Sequence, residues 1–223
     1  YVEGSFYYGI KTGYNKAYLL DSEERNDLIS LYPADAPLIQ KFCDGNQIKR
    51  WCMNDADKWI IVIESSTNKR HPWTEKRDPE AEFKRSLPSV YKRFTDPECQ
   101  RRLKGRADQG TYWWELRACD YWDQLRGPKI LYNETSKKFH AYFDEGKVIP
   151  NKTLFSICSP DSAFLMGLLM SKLAHFVFAW TFPSYGIPVF GGRMQFQKRI
   201  LGEFLIPEAS APQQTEISSL AQE

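Results

Sequence analysis

A short polar loop near the start of the chain has the residue types that bind phosphate. Its two lysines can neutralise negative charge, and its glycine lets the backbone approach a ligand closely. Its threonine and asparagine supply hydrogen-bonding groups. These residue types predict a contact with a phosphate-bearing ligand, and an ordinary polar turn is the alternative. The loop residues are Lys11, Thr12, Gly13, Tyr14, Asn15 and Lys16.

Other cations stand at the ends of predicted elements. Lys49 and Arg50 end a predicted strand, where phosphate contact and a surface ion pair are equal alternatives. Lys129 precedes an apolar strand and could instead extend its aliphatic stem along the edge of the core. Arg193 follows two glycines, and we treat it as a further candidate for the same ligand.

The positive charge is concentrated in one segment. The net charge is +2, whereas residues 67–106 hold 12 lysines and arginines against 6 acidic residues, a local excess of +6. A basic segment on a nearly neutral protein is typical of a phosphate-binding surface, and a solvated charged surface is an equally frequent alternative.

Several kinds of catalytic site are excluded by their missing motifs. The sequence has no glycine-rich dinucleotide fingerprint, no Walker loop and no nucleophile elbow. Residues 159–161 (Ser-Pro-Asp) match only part of the tetrapeptide with which amino-methyltransferases hold their target amine. The 5 cysteines and 3 histidines have no metal-ligand spacing. We therefore expect no catalysis and no cofactor or metal in this chain.

One local match to a nuclease signature remains as an alternative. Glu82 and Lys84 have the spacing of a carboxylate and a lysine that flank a metal ion in some nucleases. Such a pair normally lies on an apolar strand, whereas the neighbours here are charged. This context favours a surface segment.

The cysteines and the apolar segments indicate the cellular compartment of the protein. An odd number of cysteines without paired spacing favours reduced thiols in a cytoplasm, so the sequons at Asn133 and Asn151 are expected to be chance matches. Residues 163–182 are mostly apolar, but Lys172 near their middle would cost about 2.5–3.5 kcal/mol in a membrane. We expect a buried helix there and no membrane partner.

The pattern of apolar residues and breakers predicts an α+β fold with mixed short-strand sheets, scattered helices and one long buried apolar helix near the C-terminus. Capping residues at 21–22 and 95–98 begin helices that run to about Tyr32 and Lys104. The rest of the charged middle is expected to be irregular. Strands are predicted at 5–10, 17–20, 47–51, 59–63, 129–132, 139–142, 153–157 and 194–196, and further helices at 163–180, at 198–204 and from 211.

Four stretches, in order, resemble the TaqI-like C-terminal specificity domain of type IIG restriction–modification enzymes and adenine-specific DNA methyltransferases. Residues 8–18 (YGIKTGYNKAY) and 106–132, which contain Trp-Trp-Glu-Leu-Arg and Pro-Lys-Ile, carry the more specific matches. Residues 42–51 are similar to a weaker pattern, with Asn46 where a basic residue is usual. Residues 165–207, with Gly191-Gly192 and Leu205-Ile206-Pro207, resemble the ending of the domain.

The resemblance implies a domain of mixed strands and helices that binds double-stranded DNA and does no chemistry itself. It implies a methyltransferase partner, fused in cis or bound in trans, that methylates adenine with S-adenosylmethionine, and a nuclease that uses magnesium. The domain would span residues 1–207, and residues 208–223 would begin a following helix. Arg106, Arg117 and Lys129 in the third stretch join the loop residues, Lys49, Arg50 and Arg193 as expected DNA contacts.

Three alternatives stay open at this stage. The first is one half of a type I specificity subunit, which would bind a separate methyltransferase. The second is a protein-interaction module without DNA binding, and the third is a residual nuclease. Residues that read bases are expected in the basic stretch 69–102, without a choice among them.

Overall fold

Short runs of β-branched and aromatic residues form the strands, and aspartate or proline begins several of the helices. The computed structural model describes residues 5–187 and 192–222. Gly191 of the fourth stretch lies outside them. The strands are β1 (Phe6–Tyr8), β2 (Leu19–Leu20), β3 (Ile39–Cys43), β4 (Trp59–Ile61), β5 (Lys129–Asn133), β6 (Thr135–Ser136), β7 (Ala141–Asp144), β8 (Ile149–Pro150), β9 (Leu154–Ile157), β10 (Ser184–Tyr185) and β11 (Arg193–Gln195). The helices are α1 (Asn15–Tyr18), α2 (Ser22–Leu31), a 3₁₀ helix (Pro33–Leu38), α3 (Pro79–Ser86), α4 (Pro88–Phe94), α5 (Pro97–Lys104), α6 (Trp122–Arg126), α7 (Ser162–Leu169), α8 (Lys172–Thr181), α9 (Lys198–Gly202) and α10 (Ala211–Gln222).

The chain divides into two compact units. Unit 1 consists of Tyr1–Ile10, Cys43–Ala56 and Asp123–Glu223, and unit 2 consists of Lys11–Phe42 and Asp57–Trp122. Both units therefore combine segments that are distant in sequence. The limits predicted from the sequence, a domain ending at residue 207 and a separate helix after it, stay a prediction.

Unit 2 is built on a small antiparallel sheet and an aromatic core. Strand β4 pairs with β2 and with β3. The rings of Phe83 and Trp114 stack at 4.7 Å, and Trp73 meets both rings edge to face. Because these three side chains come from different segments, they join α3 to the loops before and after it.

Unit 1 contains a four-stranded antiparallel sheet in the order β1-β9-β5-β7. Its core places Ile130 and Phe155 of the sheet in one apolar cluster with Leu165 of α7 and Phe178 of α8. A second, three-stranded sheet has the order β10-β11-β6. The α+β class with short strands and scattered helices is thereby confirmed.

The long apolar helix predicted at 163–180 is two helices, and that detail is corrected. Helix α7 ends at Leu169, and Ser171 begins α8 by accepting a hydrogen bond from the Ala174 N–H at 3.0 Å. The two helices are bent by 68°. Phe176 and Trp180 are exposed, so only one side of α8 is buried.

Neither helix of this pair, nor any other single helix in the described part of the chain, is long and apolar enough to cross a membrane. The pair passes that test only when it is taken together across its bend.

The charged middle is more regular than predicted. Helices α3 and α4 occupy a segment that the sequence analysis left irregular. Asp78 caps α3, Pro79 follows it, and Phe83, Val90 and Phe94 are buried. The spacing of these apolar residues is that of a helix face, and the surrounding charges conceal it.

Candidate nucleic-acid interface

The loop at residues 11–16 in unit 2 has a fixed shape. Gly13 has a φ of +71°, and a Cβ there would lie 2.9 Å from the Cδ of Arg106, so the position requires glycine. Thr12 is buried, and its hydroxyl donates to the Asn15 side-chain oxygen at 2.5 Å. The loop therefore presents a preformed backbone.

Arg106 holds this loop from inside, which corrects the prediction that it contacts DNA. Its guanidinium is buried and donates to the carbonyl oxygens of Thr12 and Glu115, to the Trp113 carbonyl oxygen at 3.1 Å and to the Tyr18 hydroxyl at 2.7 Å. Because both terminal nitrogens donate to protein groups and the remaining Nε is buried, Arg106 positions the loop.

Exposed cations lie on the loop and beside it. Lys11 pairs with Asp108 at 2.6 Å, and Arg117 lies 3.8 Å from the same carboxylate. The hydrogen bond from Lys11 is the main cause of the lowered pKa of Asp108. Lys16 pairs with Glu98 at 3.3 Å. The two cations around Asp108 outnumber their single carboxylate, which leaves a positive charge at this surface.

Tyr14 and Asn15 complete the predicted loop. Tyr14 is half-buried and Asn15 is exposed. The Asn15 side-chain oxygen accepts from Thr12, which leaves its amide NH₂ available as a donor.

Glu115 of the Trp-Trp-Glu-Leu-Arg segment is a buried carboxylate with a complete set of donors. One oxygen accepts from the Ser66 hydroxyl and from the Trp73 indole N–H at 2.8 Å. The other accepts from the backbone N–H groups of Ser66 at 2.9 Å and Tyr112 at 3.2 Å. Glu115 therefore has a structural role in this segment, in contrast to the exposed Arg117 two residues later.

In unit 1, Lys49 and Arg50 are exposed in a turn, and the strand predicted at 47–51 is wrong. Lys49 donates its N–H to the Cys52 carbonyl at 2.9 Å, and Trp51 has a φ of +69°. A positive φ interrupts an extended strand, so the chain reverses here. Both cations point into solvent from a defined turn.

A polar groove of about 880 Å³ lies in unit 1, and Arg193 is exposed on its wall. His140 also lines it; burial is the main cause of its lowered pKa, followed by the charges of Lys49, Lys138 and Arg50. These three cations therefore lie near His140. The groove residues are Asp44, Gly45, Asn46, Asn133, Glu134, Thr135, Ser136, Lys137, His140, Asn151, Lys152, Thr153 and Arg193.

Lys129 is the second predicted contact that needs correction. Its side chain has no exposed area and forms an ion pair of 2.5 Å with Asp144, which is equally buried. Its ammonium also donates to the Gly127 carbonyl at 3.2 Å. Lys129 therefore neutralises a buried carboxylate inside unit 1.

The two groups proposed for a nuclease lie on helix α3. Glu82 accepts hydrogen bonds from Arg85 and Ser86, and the Lys84 ammonium lies 5.7 Å from the ring centroid of Tyr91. Within residues 5–187 and 192–222, no group of three or more His, Cys, Asp or Glu side chains is arranged to hold a metal ion.

Most of the groove residues were not predicted from the sequence. The groove walls include the two triplets Asn133-Glu134-Thr135 and Asn151-Lys152-Thr153, which had been treated only as chance sequons. The first triplet joins the end of β5 to the start of β6, and the second is a turn between β8 and β9. That position was a usable signal, because polar side chains at neighbouring strand ends often form one surface.

No family model matches the chain. Among curated proteins, none matches it either. Its fold is similar to part of the type IIL restriction-modification enzyme MmeI, with a TM-score of 0.66 and 18% sequence identity. The MmeI structure is of a complex with DNA. The match covers 97% of this chain and 27% of the MmeI chain. The chain thus shares the fold of a segment of a larger restriction-modification enzyme.

Proposed function

We propose that this chain is a sequence-specific recognition domain for double-stranded DNA in a type II restriction–modification enzyme. The carrying observation is the fold shared over 97% of the chain with part of MmeI, an enzyme whose structure includes DNA. The exposed cations Lys11, Lys16 and Arg117 of unit 2 support the proposal. Lys49, Arg50 and Arg193 of unit 1 support it in the same way.

The finer assignment is a TaqI-like specificity domain of a type IIG enzyme from the bacterial cytoplasm. A methyltransferase that acts on adenine in a duplex must rotate the base into its own pocket, so a second domain has to hold and select the DNA. We assign that role to this chain and methylation and cleavage to other domains, which would bind S-adenosylmethionine and magnesium. The methyltransferase would be fused in cis or bound in trans.

A protein-docking function is the second candidate, and the surface of α8 favours it. Leu173, Phe176 and Trp180 are 74%, 63% and 77% exposed, and they follow the spacing of one helix face. Exposed apolar groups of this size are typical of contacts with another protein. The affinity for DNA should fall steeply as the salt concentration rises, whereas docking to a protein through apolar groups should not show this fall.

Selection from a randomised duplex DNA library at 50 and 200 mM salt tests the proposed function. Phosphate contacts by about six cations predict an affinity loss of roughly 10³-fold between these concentrations. Enrichment of one short sequence with this salt dependence supports a recognition domain. Salt-sensitive binding without enrichment would restrict the role to non-specific DNA binding, and no binding at 50 mM would favour protein docking.

A further inference from the structure

Hydrogen bonds and a close contact join the segments near residues 45, 133 and 151 in the polar groove of unit 1. The Asn151 N–H donates to the Cys43 carbonyl at 2.7 Å, and the Gly45 N–H donates to the Thr153 hydroxyl at 3.1 Å. A Cβ on Gly45 would lie 2.4 Å from the Asn133 side-chain oxygen, so these two turns are in close contact. The backbone of these three segments is therefore arranged before a ligand arrives.

The groove combines hydrogen-bonding groups of both kinds. Arg193 and Asn46 are exposed, and the structure places no hydrogen-bond acceptor on the Arg193 guanidinium within the described residues. Glu134 is exposed on the same wall and adds a carboxylate. Lys137 and Lys152 are exposed and add positive charge.

This mixture fits base edges better than phosphate alone. A carboxylate repels phosphate but accepts a hydrogen bond from the amino group of cytosine. Arginine pairs with the two acceptors of guanine, and asparagine pairs with adenine. Lysines beside these groups suit the phosphates that flank the bases.

We propose that this groove of the protein contacts base edges in the major groove of duplex DNA. This inference rests on the proposed function. Arg193, Asn46 and Glu134 contact bases, and Lys137 and Lys152 contact neighbouring phosphates. The base readers thus lie in unit 1 and outside the basic stretch 69–102 in which they were expected.

Library selection with single variants separates the two kinds of contact. Arg193→Lys keeps the charge but loses the planar pair of donors, so discrimination at one guanine should fall roughly 5- to 160-fold with an unchanged salt slope. Glu134→Gln and Asn46→Ala should each relax one other position. Lys137→Ala and Lys152→Ala should select the wild-type sequence, bind it more weakly, and each lower the salt slope by about 1.

The control is Lys172→Ala, which removes an exposed lysine of unit 1 that does not line the groove. It should keep the selected sequence. Circular dichroism of every variant verifies the fold. If the wild type selects one sequence and all three base-reader variants keep the same preferences, this inference is wrong and the proposed function stands. A wild type that selects nothing overturns both.

A modified base provides a second measurement on the unaltered protein. In the selected duplex, 7-deazaguanine removes the N7 acceptor from one guanine at a time. At the guanine read by Arg193, this change should weaken the wild type several-fold and leave Arg193→Ala unaffected. Equal losses for the two proteins at every guanine would show that Arg193 does not contact a base.

Discussion

At the scale of single residues, the molecule separates charges that hold the fold from charges that face solvent. Arg106 and Glu115 are buried in unit 2, where protein groups bond to both terminal nitrogens of the guanidinium and to both oxygens of the carboxylate. Lys11 and Arg117 are exposed, and both form an ion pair with Asp108. A buried charge is tolerated when hydrogen bonds replace its water, and an exposed charge remains free for a ligand.

Replacing Glu115 by glutamine should destabilise the protein. The carboxylate accepts two hydrogen bonds on each oxygen, so the NH₂ of an amide would face two donors and lose both bonds. We expect a loss of about 2–4 kcal/mol in the free energy of unfolding, measured by urea denaturation. Exposed Glu23 is the matched control, and Glu23→Gln should change stability by less than about 0.5 kcal/mol. Equal effects of the two variants would contradict the structural role of Glu115.

The Lys129–Asp144 pair gives a second prediction at this scale. Lys129→Met leaves a buried carboxylate without its cation, so we expect a loss of about 3–5 kcal/mol in urea denaturation. Adding Asp144→Asn removes the unpaired charge and should restore part of that loss. A Lys129→Met protein of unchanged stability that binds DNA more weakly would instead return Lys129 to the DNA contacts.

At the scale of secondary structure elements, capping signals were the most reliable sequence information. Asp21 caps α2, as predicted, and the structure adds a capping box with Glu24. Helix α5 ends at Lys104 as predicted, but its cap is Asp96 rather than the first residue of the capping box predicted at Thr95. These signals succeed because a cap acts within four residues. The break at Ser171 was missed because apolar residues continue on both sides of it.

The candidate site was less predictable than the elements, since exposure depends on distant parts of the chain. Lys11 and Arg106 look equally available in the sequence, yet Arg106 is buried under the loop that it holds. The groove joins turns near residues 45, 133, 151 and 193, which only the folded chain brings together. Periodicity describes a residue's own element and carries no information about such partners.

The packing of α10 against α7 gives a prediction for whole elements. A Cβ on Gly167 of α7 would lie 2.7 Å from the Ile217 Cγ2 of α10, so Gly167→Ala should push the helices apart. We expect a loss of roughly 1–2 kcal/mol and faster hydrogen exchange at residues 211–222, measured by mass spectrometry.

Gly202 is the matched control for this substitution. It is exposed in α9, and an added Cβ would make only an ordinary contact of 3.7 Å with Phe6. Gly202→Ala should therefore leave stability unchanged or raise it slightly, because alanine favours the helix. If exchange at residues 211–222 is the same in both variants, the close contact between α7 and α10 does not hold α10 in place.

At the scale of the whole molecule, a net charge of +2 conceals positive surfaces on each unit. Unit 2 presents Lys11 and Arg117, and unit 1 presents Lys49, Arg50 and Arg193. Acidic residues elsewhere offset these charges in the total. Binding to a polyanion depends on the local field, so the near-neutral total does not argue against DNA.

The three histidines together predict how stability changes with pH. Burial is the largest cause of the lowered pKa of His71, His140 and His175, so the folded protein binds fewer protons than the unfolded chain below pH about 6.5. The buried neutral histidines therefore contribute their full stability above pH about 6.5. This stability is lost as the pH falls from there toward the lower pKa values of the folded protein. Urea denaturation at pH 7.5, 6.5 and 5.5 should show a decline, with a limit of about 1.4 kcal/mol per pH unit for each histidine.

A triple variant, with His71→Gln, His140→Gln and His175→Gln, isolates this contribution. It should be less stable than the wild type at pH 7.5, because His71 loses its stacking on Trp73 at 4.6 Å, but its stability should change less between pH 7.5 and 5.5. The ordinary pKa values of aspartate and glutamate are 3.8 and 4.5, so most of their titration lies below this pH range. A wild type and a triple variant with the same pH slope would show that burial of the histidines does not govern the acid sensitivity of the fold.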